Sequence, residues 1–442
     1  MRVRSAVVRV TAAVLAVGCI TACADGDPTA APGPAAAQDS ARATAPGGAD
    51  GAAGRAGTSA ASARAGASCT AGKCTDTSRA SGNGNRSGTG GGRHACSPSV
   101  SLDRYSDALD KTTFQGTFVG NLSALARDTD GSIAAVSDRS VLIGLDGRTH
   151  RPVRTAGLAD EKGAVLDAEG LAVEPGGAYL VSSETEPSVR RYDRSGTLLG
   201  RLPVPDALRV APAGRAQSNQ TFEGLTLRPG GGTLTASMEG RLTGDGKDTA
   251  GRPLLRFQTW QRYGARGGSA PYRFGTAPYG SDSAPHGSDS APSRSDSAPY
   301  RLGKQYAYPV DAGLGVSEIA ALADGRLLVL ERGFTAGVGN TVRLYLADPR
   351  RAADVSGVAN LPDGKAVRAA HKKLLADLGA CPSLGAPAHQ PQTNPLLDNI
   401  EGMTVTGRAP GGRLRLLLVS DDNESPKQIT RLYELTVRPG GH

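Results

Sequence analysis

The chain has 442 residues, with 60 glycines and only 4% aromatic residues, a composition that favours many short turns over long helices. The formal net charge is +8, but the basic residues are scattered singly, which argues against a nucleic-acid-binding protein. No P-loop, dinucleotide fingerprint, HExxH or Gly-x-Ser-x-Gly motif is present, and the six histidines lie outside the repeated strands described below. These absences disfavour a Ser–His–Asp hydrolase and a histidine-dependent phosphatase.

The N-terminus has the features of an export signal. Three arginines within the first nine residues precede the apolar run 11–22, which is too short to span a bilayer comfortably. The run ends in Ile-Thr-Ala before Cys23, which resembles the lipobox of bacterial lipoproteins. Residues 1–23 are therefore predicted to be a lipoprotein signal peptide with lipidation at Cys23. An ordinary cleaved secretory signal is the alternative, and both predict a mature chain outside the cytoplasm, anchored by its lipid or secreted.

Two segments have a composition that does not support a packed core. Residues 24–95 are mainly Ala, Gly, Ser, Thr and Pro, and are predicted to be a disordered tether. Residues 264–300 contain three copies of Ser-Asp-Ser-Ala-Pro and are predicted to be a low-complexity insertion in a surface loop. The remaining sequence, 96–442, is predicted to form one folded domain around this insertion.

Four cysteines remain after the signal region. They allow three pairings, and the sequence alone does not choose among them. The pairing Cys69–Cys74 with Cys96–Cys381 is favoured, because the first two lie close together in the tether and the others both border folded sequence. A zinc site is the rival interpretation, but the spacing lacks paired CxxC motifs.

A motif recurs five times in the folded part. Each copy has a short apolar strand opening with Ser or Glu, a turn rich in Gly or Asp, and a second apolar strand ending in an acid. The acids of the first strand are Glu169, Glu223, Glu318 and Glu401. The acids of the second strand are Asp138, Glu184, Glu239, Glu331 and Asp422. Short strands joined by glycine-rich turns at such intervals are typical of a β-propeller.

The sequence therefore predicts an all-β fold, a β-propeller. Because a blade takes roughly 40–50 residues, residues 335–397 together with 99–120 are long enough to supply a sixth blade, and six blades are predicted. Within this region, residues 365–378 have helical spacing and are predicted to form a helix outside the blades.

The repeated acids point to a common site. In a propeller the first strand of each blade lines the central channel, and a hairpin brings the end of the second strand beside the start of the first. Acids repeated in this way would gather at one mouth of the channel, where cations must compensate their repulsion. An oxygen-rich cluster suits Ca²⁺. In the alternative interpretation, each acid only caps a turn or pairs with a nearby arginine.

Basic residues follow several of these acids. Arg139, Arg332 and Lys427 are therefore candidates for holding an anionic substrate, because arginine binds phosphate or carboxylate through two parallel hydrogen bonds. The alternative is that they form surface salt bridges of little energetic value.

The chain resembles the phytase-like family, also called "esterase-like activity of phytase", over residues 99–437. The stretches that carry the resemblance are Asp-Ala-Glu-Gly-Leu-Ala-Val at 167–173, Val-Ser-Ser-Glu at 181–184, Phe-Glu-Gly-Leu-Thr-Leu at 222–227, Leu-Val-Leu-Glu-Arg-Gly-Phe at 328–334, Asn-Ile-Glu-Gly-Met at 399–403 and Leu-Val-Ser-Asp-Asp-Asn at 418–423.

The related β-propeller phytases imply calcium-dependent hydrolysis of phosphate monoesters at a negatively charged channel face. Their Asp-Asp-Pro-Ala calcium motif is absent from this chain, so roles are assigned by position in the repeat. The first-strand acids are expected to be catalytic, the second-strand acids to bind metal, and the three basic residues to bind substrate. The expected protein is a monomeric hydrolase acting on a small anionic or ester substrate. A non-catalytic surface propeller that binds a ligand or protein partner, and a lactonase-like propeller, are the alternatives.

Overall fold

The computed structural model describes residues 94–263 and 299–440. The predicted signal peptide, Cys23, the Cys69–Cys74 pair and nearly all of the tether and of the insertion lie outside the described residues. Within the described ranges the structure is built from 22 β-strands and two short 3-10 turns, Asp206–Leu208 and Leu378–Ala380. No helix in these ranges is long and apolar enough to cross a membrane.

Twenty of the strands form five four-stranded antiparallel sheets, numbered here as blades 1 to 5. Blade 1 contains β4 Leu122–Arg127, β5 Ile133–Ser137, β6 Val141–Leu145 and β7 Pro152–Gly157. Blade 2 contains β8 Ala168–Val173, β9 Tyr179–Ser183, β10 Ser188–Tyr192 and β11 Leu198–Arg201. Blade 3 contains β12 Phe222–Leu227, β13 Thr233–Met238, β14 Leu254–Arg262 and β15 Tyr300–Pro309.

Blade 4 contains β16 Gly315–Ala321, β17 Leu327–Thr335, β18 Gly339–Asp348 and β19 His371–Asp377. Blade 5 contains β20 Asn399–Ala409, β21 Arg413–Asp421, β22 Leu432–Val437 and, at its outer edge, β1 Val100–Ser106. The remaining strands, β2 Thr113–Phe114 and β3 Thr117–Phe118, form a small hairpin.

The prediction of six blades is wrong, because the structure has five. The residues assigned to a sixth blade complete two others: β18 and β19 belong to blade 4, and β1 belongs to blade 5. The predicted helix at 365–378 is also wrong, since His371–Asp377 is the outermost strand of blade 4. Pairing with β18 overrides the local helical spacing. This strand lies at the edge of the sheet and most of its side chains are at least partly exposed, so a strand-like alternation of apolar and polar residues is not required there.

The hydrophobic core lies between the blades. Five clusters of buried side chains occupy the five spaces between neighbouring sheets, and the last of them joins blade 5 to blade 1. Phe222 and Trp260 of blade 3, for example, pack against Leu180 of blade 2. Five continuous interfaces therefore close the ring without a gap for another blade.

The N-terminal strand closes the ring. β1 pairs antiparallel with β22, so that Val100 lies opposite Val437. A disulfide joins Cys96, just before β1, to Cys381 after blade 4, and this is one of the two pairs that the sequence favours. Arg431 is fully buried nearby, and its guanidinium donates to Asp107 at 2.6 and 2.9 Å.

The innermost strands approach one another very closely. A Cβ atom on Gly170 would lie 2.3 Å from the Glu223 carbonyl oxygen, and one on Gly224 would lie 2.7 Å from the Ile319 nitrogen. Both contacts are too short for any side chain, so only glycine fits here. The recurring Glu-Gly-Leu motif thus places its glycine at the contact between blades and its glutamate next to the channel.

Candidate functional site

A β-bulge in the inner strand of each blade defines the first layer of the site. The register of the inner hairpin shifts near the second or third residue of every inner strand, which leaves that residue without a regular partner. The residues at this position in blades 1 to 5 are Ser123, Glu169, Glu223, Ser317 and Glu401. Three of the four predicted first-strand acids therefore occupy equivalent places around the channel.

The end of the second strand supplies the second layer. In each blade the residue at this position lies opposite the residue that is two positions before the bulge. A backbone hydrogen bond joins the two residues in blades 1 to 3, and they are paired in the strand register in blades 4 and 5. In blades 1 to 5 the second-layer residues are Asp138, Glu184, Glu239, Arg332 and Asp421. Asp138, Glu184 and Glu239 are predicted metal ligands, whereas blade 4 has an arginine and blade 5 has Asp421 instead of Asp422.

Glu318 does not lie in the first layer, because it is one residue past the bulge. It pairs with Leu330, at the position where blades 2, 3 and 5 have glycine and blade 1 has Ala124. Its side chain is buried, and one carboxyl oxygen accepts hydrogen bonds from the backbone N–H groups of Leu225 at 3.1 Å and Ile319 at 2.9 Å. Burial raises its pKa well above the usual range. Glu318 thus links blades 3 and 4.

Glu331 faces away from the second layer, since it precedes Arg332 in an extended strand. It is fully buried, and its carboxylate accepts from Lys372 at 2.5 Å, the Tyr308 hydroxyl at 2.6 Å and the Asp311 N–H at 2.9 Å. These three protein groups are the hydrogen-bond partners of the Glu331 carboxylate. The structure therefore places Glu331 in an internal ion pair, apart from the acids of the channel.

Asp422 is likewise engaged by the protein. It is fully buried, forms a salt bridge with Lys111 and accepts a hydrogen bond from the Asn121 N–H at 2.9 Å. Its neighbour Asp421 takes the second-layer position in blade 5. Burial and the charge of Glu401 raise the pKa of Asp421 well above its usual range. Sequence reasoning missed Asp421, although the Asp-Asp pair contains it.

Five carboxyl groups of blades 2 and 3 converge. One oxygen from each of Asp167, Glu169 and Glu184 lies within 4.8 Å of the others, and the same holds for Glu184, Glu223 and Glu239. We call these five residues the acidic cluster. Sequence reasoning also missed Asp167, which lies two residues before the bulge of blade 2. The other blades have Asn121, Thr221, Gly315 and Asn399 at the equivalent position, so only blade 2 has an acid there in the described chain.

Two members of the acidic cluster lack a hydrogen-bond or salt-bridge partner in the described part of the chain. The side chains of Glu169 and Glu223 belong to residues only 8% and 7% exposed, yet in the described part of the chain neither carboxylate has a hydrogen bond or salt bridge. Burial raises the pKa of both well above the usual range, and neighbouring carboxylates, including those of Glu401 and Glu184, raise it further. Each must therefore hold a proton or receive a cation.

The same causes act on the rest of the site. Burial, followed by the charge of Glu239, raises the pKa of Glu184 to about 8. Burial also raises the pKa of Glu401 to about 7, although Arg332 opposes the shift. Asn399 donates to the Glu401 carboxylate at 2.9 Å and so fixes its orientation.

The three predicted substrate-binding cations lie in different environments. Arg332 is in the second layer, with its guanidinium 3.0 Å from Glu401 and 3.9 Å from Glu239, and its Nε is buried without a partner in the described chain. Arg139 is on the rim, 63% exposed, and 3.3 Å from Glu424. Lys427 is exposed on the loop after β21. Arg139 is also 3.7 Å from the second-layer acid Asp138, but of these three cations only Arg332 forms a salt bridge with a first-layer acid.

The donor set fits a hard divalent cation. All side-chain ligands of the acidic cluster are carboxylate oxygens, which Ca²⁺ and Mg²⁺ prefer, and soft sulfur or imidazole ligands are absent from it. The two unpaired buried carboxylates are groups that such an ion would neutralise. Fold and site together define a five-bladed β-propeller whose channel mouth carries acids that could bind metal.

Comparison with known proteins identifies the family. The family model described as "Esterase-like activity of phytase", the phytase-like family, matches residues 117–424, and the chain belongs to this family. A curated relative, "Uncharacterized secreted protein" of Arthroderma benhamiae, is 29% identical over 106 residues. That match covers 18% of this chain and 21% of the relative, so the chain spans about a fifth of the relative's length.

Solved structures with some likeness include two from bacteria. Virginiamycin B lyase from Staphylococcus aureus is 8% identical, with 74% of this chain and 69% of that chain covered and a TM-score of 0.31. The PQQ-bound aldose sugar dehydrogenase from Streptomyces coelicolor is 14% identical, with 77% and 98% covered and a TM-score of 0.32. At these scores the likeness supports no conclusion about this chain.

Proposed function

We propose that this protein is an exported, metal-assisted ester hydrolase whose active site is the acidic cluster at the channel mouth. The observation that carries the proposal is the pair Glu169 and Glu223, two buried carboxylates without a protein partner in the described chain. Such a pair destabilises a fold unless a ligand compensates it, and strongly perturbed acids beside a channel are typical of functional sites.

The five residues of the acidic cluster would hold the cation, with Ca²⁺ as the expected ion because every ligand is oxygen. When bound, a divalent cation polarises an ester oxygen and lowers the pKa of water. Burial and neighbouring carboxylates raise the pKa of Glu169 and Glu223 well above the usual range and that of Glu184 to about 8, so these three groups can exchange a proton for a cation.

Glu401 is the best candidate for a general base or acid. Its pKa of about 7 allows it to accept or release a proton near neutral pH, where general acid–base catalysis is most efficient. Asn399 and Arg332 both contact its Oε1, at 2.9 and 3.0 Å. Arg332 would also orient a negatively charged group of the substrate, and Arg139 and Lys427 would add positive charge at the rim.

Export is part of the proposal. The lipobox-like sequence before Cys23 supports a lipid anchor, and the relative in Arthroderma benhamiae is named a secreted protein. Replacing Cys23 with Ser should abolish incorporation of labelled palmitate and move the protein from the membrane fraction to the medium. Unchanged labelling would refute the anchor but leave the hydrolase proposal intact.

The catalytic proposal is tested with the mature chain, assayed on phosphate monoesters, carboxyl esters and lactones with Ca²⁺ or with EDTA. We expect Ca²⁺-dependent turnover of at least one ester, and a loss of about 100-fold or more in Glu223→Gln and Asp167→Asn. Asp206→Asn, at an exposed acid whose salt bridge is with Arg209, is the matched control. Cation-dependent ligand binding without turnover would favour a non-catalytic propeller, and turnover restricted to lactones would favour a lactonase.

A further inference from the structure

The face of the propeller opposite the acidic mouth is built from turns. In each blade the inner strand starts at the mouth and ends at this opposite face, where a short turn leads into the second strand. These turns are residues 128–132, 174–178, 228–232, 322–326 and 410–412. Neighbouring turns are in contact, since a Cβ atom on Gly231 would lie 2.9 Å from the ring of Pro175 and one on Gly325 would lie 3.7 Å from the guanidinium of Arg228. We call the surface formed by these turns, and by the chain that leaves the same ends of the outer strands, the basic face.

The acids of the basic face are already engaged by the protein. Asp128 forms salt bridges with Arg154 at 3.0 Å and with Arg194, and Glu174 forms one with Arg191 at 2.7 Å. The other salt bridges at this face are Asp130–Arg194, Asp324–Arg326 and Asp348–Arg350. Asp146 and Asp193 accept hydrogen bonds from backbone N–H groups of their own turns. These acids are thus used locally.

Several exposed arginines of the same face have no salt bridge in the described ranges. They are Arg127 and Arg228 at the ends of inner strands, Arg351 after β18, Arg408 and Arg415 on the inner hairpin of blade 5, and Arg438 after β22. Arg228 donates to a backbone carbonyl, that of Ala323, at 3.4 Å. Arg127 and Arg228 line one depression of about 410 Å³ between the turns of blades 1 to 3. The arginines are scattered singly in the sequence, and the fold gathers them on one side of the molecule.

The charge of the basic face acts separately from that of the acidic cluster. An inner strand of six residues, such as β4, rises about 3.3 Å per residue, so its two ends lie roughly 17 Å apart. The Debye length at physiological salt is about 8 Å. A large charged partner in solution therefore meets either one face or the other. An anionic surface is attracted by the basic face and repelled by the mouth.

The distribution of the arginines favours an extended partner. They belong to blades 1, 3, 4 and 5 and do not converge on a single pocket, so they fit a surface with many negative charges, such as a bilayer with anionic phospholipids, better than one small anion. Strand β1 also begins at this face, because Val100 lies opposite Val437, which precedes Arg438. The residues that follow the predicted lipidation site at Cys23 therefore enter the first strand of the propeller from this face.

We propose that the basic face docks on the headgroups of anionic phospholipids, so that the acidic mouth of the channel points away from the membrane. This interaction goes beyond the proposed function, since it requires neither a bound cation nor turnover of an ester. Each arginine near such a surface strengthens binding by about fivefold at moderate salt.

The test is co-sedimentation of the mature chain carrying Cys23→Ser, which cannot receive the lipid, with vesicles of phosphatidylcholine that contain about 30% phosphatidylglycerol. EDTA is present, so that no divalent cation bridges the acidic cluster to the lipid. We expect binding at least tenfold tighter than to pure phosphatidylcholine, and loss of that binding at about 0.5 M NaCl, where the Debye length is roughly 4 Å. Equal binding to both kinds of vesicle, or no binding to either, would overturn the proposal.

A pair of charge-matched variants tests the location of the contact. Arg127→Gln with Arg228→Gln should weaken binding to the anionic vesicles by at least tenfold. The control is Lys162→Gln with Lys247→Gln, which removes the same charge from exposed loops on the mouth side and should bind within about twofold of the parent chain. Equal losses in the two double variants would show that only the net charge matters, and would refute a specific face.

Hydrogen exchange locates the contact without any substitution, and serves if a variant fails to fold. Anionic vesicles should slow exchange in the turns 174–178 and 228–232, and leave the mouth loop 422–431 unchanged. Protection of the mouth loop instead would contradict the proposed orientation. Binding to soluble polyphosphate without binding to vesicles would also overturn the proposal, and would identify an anionic polymer as the partner.

Discussion

Buried acids occur in two regions of this propeller, and their partners differ. In blade 4, Glu331 is fully buried and is met by Lys372, Tyr308 and a backbone N–H. At the channel mouth, Glu169 and Glu223 are almost as buried, but neither carboxylate forms a hydrogen bond or a salt bridge within the described ranges.

The paired arrangement is the common one in this fold. Asp128 is buried against Arg154 at 3.0 Å and Arg194 at 2.5 Å, and Asp245 is buried against Arg256 at 2.7 Å. These acids of the blades have cationic partners, whereas Glu169 and Glu223 have no hydrogen bond or salt bridge in the described ranges, and this difference is the reason for proposing an external cation at the channel mouth. The lack of a partner, and not burial alone, is therefore the basis of the functional role proposed for Glu169 and Glu223.

The largest expected effect is in the paired region. Lys372→Met should lower the free energy of unfolding by roughly 3–5 kcal/mol, because it leaves the buried carboxylate of Glu331 without its counter-ion. Urea denaturation at neutral pH measures the change. The double variant Lys372→Met with Glu331→Gln should recover part of the loss. A loss below about 1 kcal/mol in the single variant would contradict the claim that Glu331 depends on Lys372 as its counter-ion.

Removing an unpaired acid should have the opposite sign. Glu223→Gln should stabilise the metal-free protein by about 1 kcal/mol at pH 8, because it replaces a buried acid that is crowded by neighbouring carboxylates with a neutral group of similar shape. The same variant should lose the stabilisation that Ca²⁺ gives to the wild type. Thermal unfolding with EDTA and with Ca²⁺ measures both, and destabilisation in EDTA would show that Glu223 has a structural partner.

The pH dependence of stability should differ between metal-free and Ca²⁺-loaded protein. The pKa of Glu184 is raised to about 8 by burial first and by Glu239 next, so the folded state binds more protons than the unfolded state between about pH 4.5 and 8. The stability contributed by this group is therefore fully present below about pH 4.5 and is lost as the pH rises through about 8. Urea midpoints in EDTA should fall over this window, whereas Ca²⁺ should flatten the profile. A flat profile in EDTA would contradict the assigned repulsion.

The smallest effect is expected on the rim. Arg139→Ala should change the free energy of unfolding by less than about 1 kcal/mol, because its partner Glu424 is itself about half exposed and water screens the pair. Chemical denaturation tests this directly. A larger loss would mean that ion pairs stabilise the fold at the rim as they do inside blade 4.

Local sequence was sufficient for much of the architecture. The Glu-Gly-Leu motifs identified the inner strands of blades 2 and 3, because a glycine is needed where those strands touch and the preceding glutamate lies at the bulge. The spacing of strands and turns predicted a β-propeller, and the family resemblance, later confirmed, rested on the same motifs.

Only the tertiary structure decided the number of blades and the membership of the site. Five blades rather than six result from the pairing of β1 with β22, a contact between the two ends of the domain that no local pattern encodes. In blade 4 the register places Ser317 and Arg332 at the channel where the motif suggested Glu318 and Glu331. A shift of one residue turns a strand's side chains to the opposite face, so identical sequence motifs can present different groups to the channel.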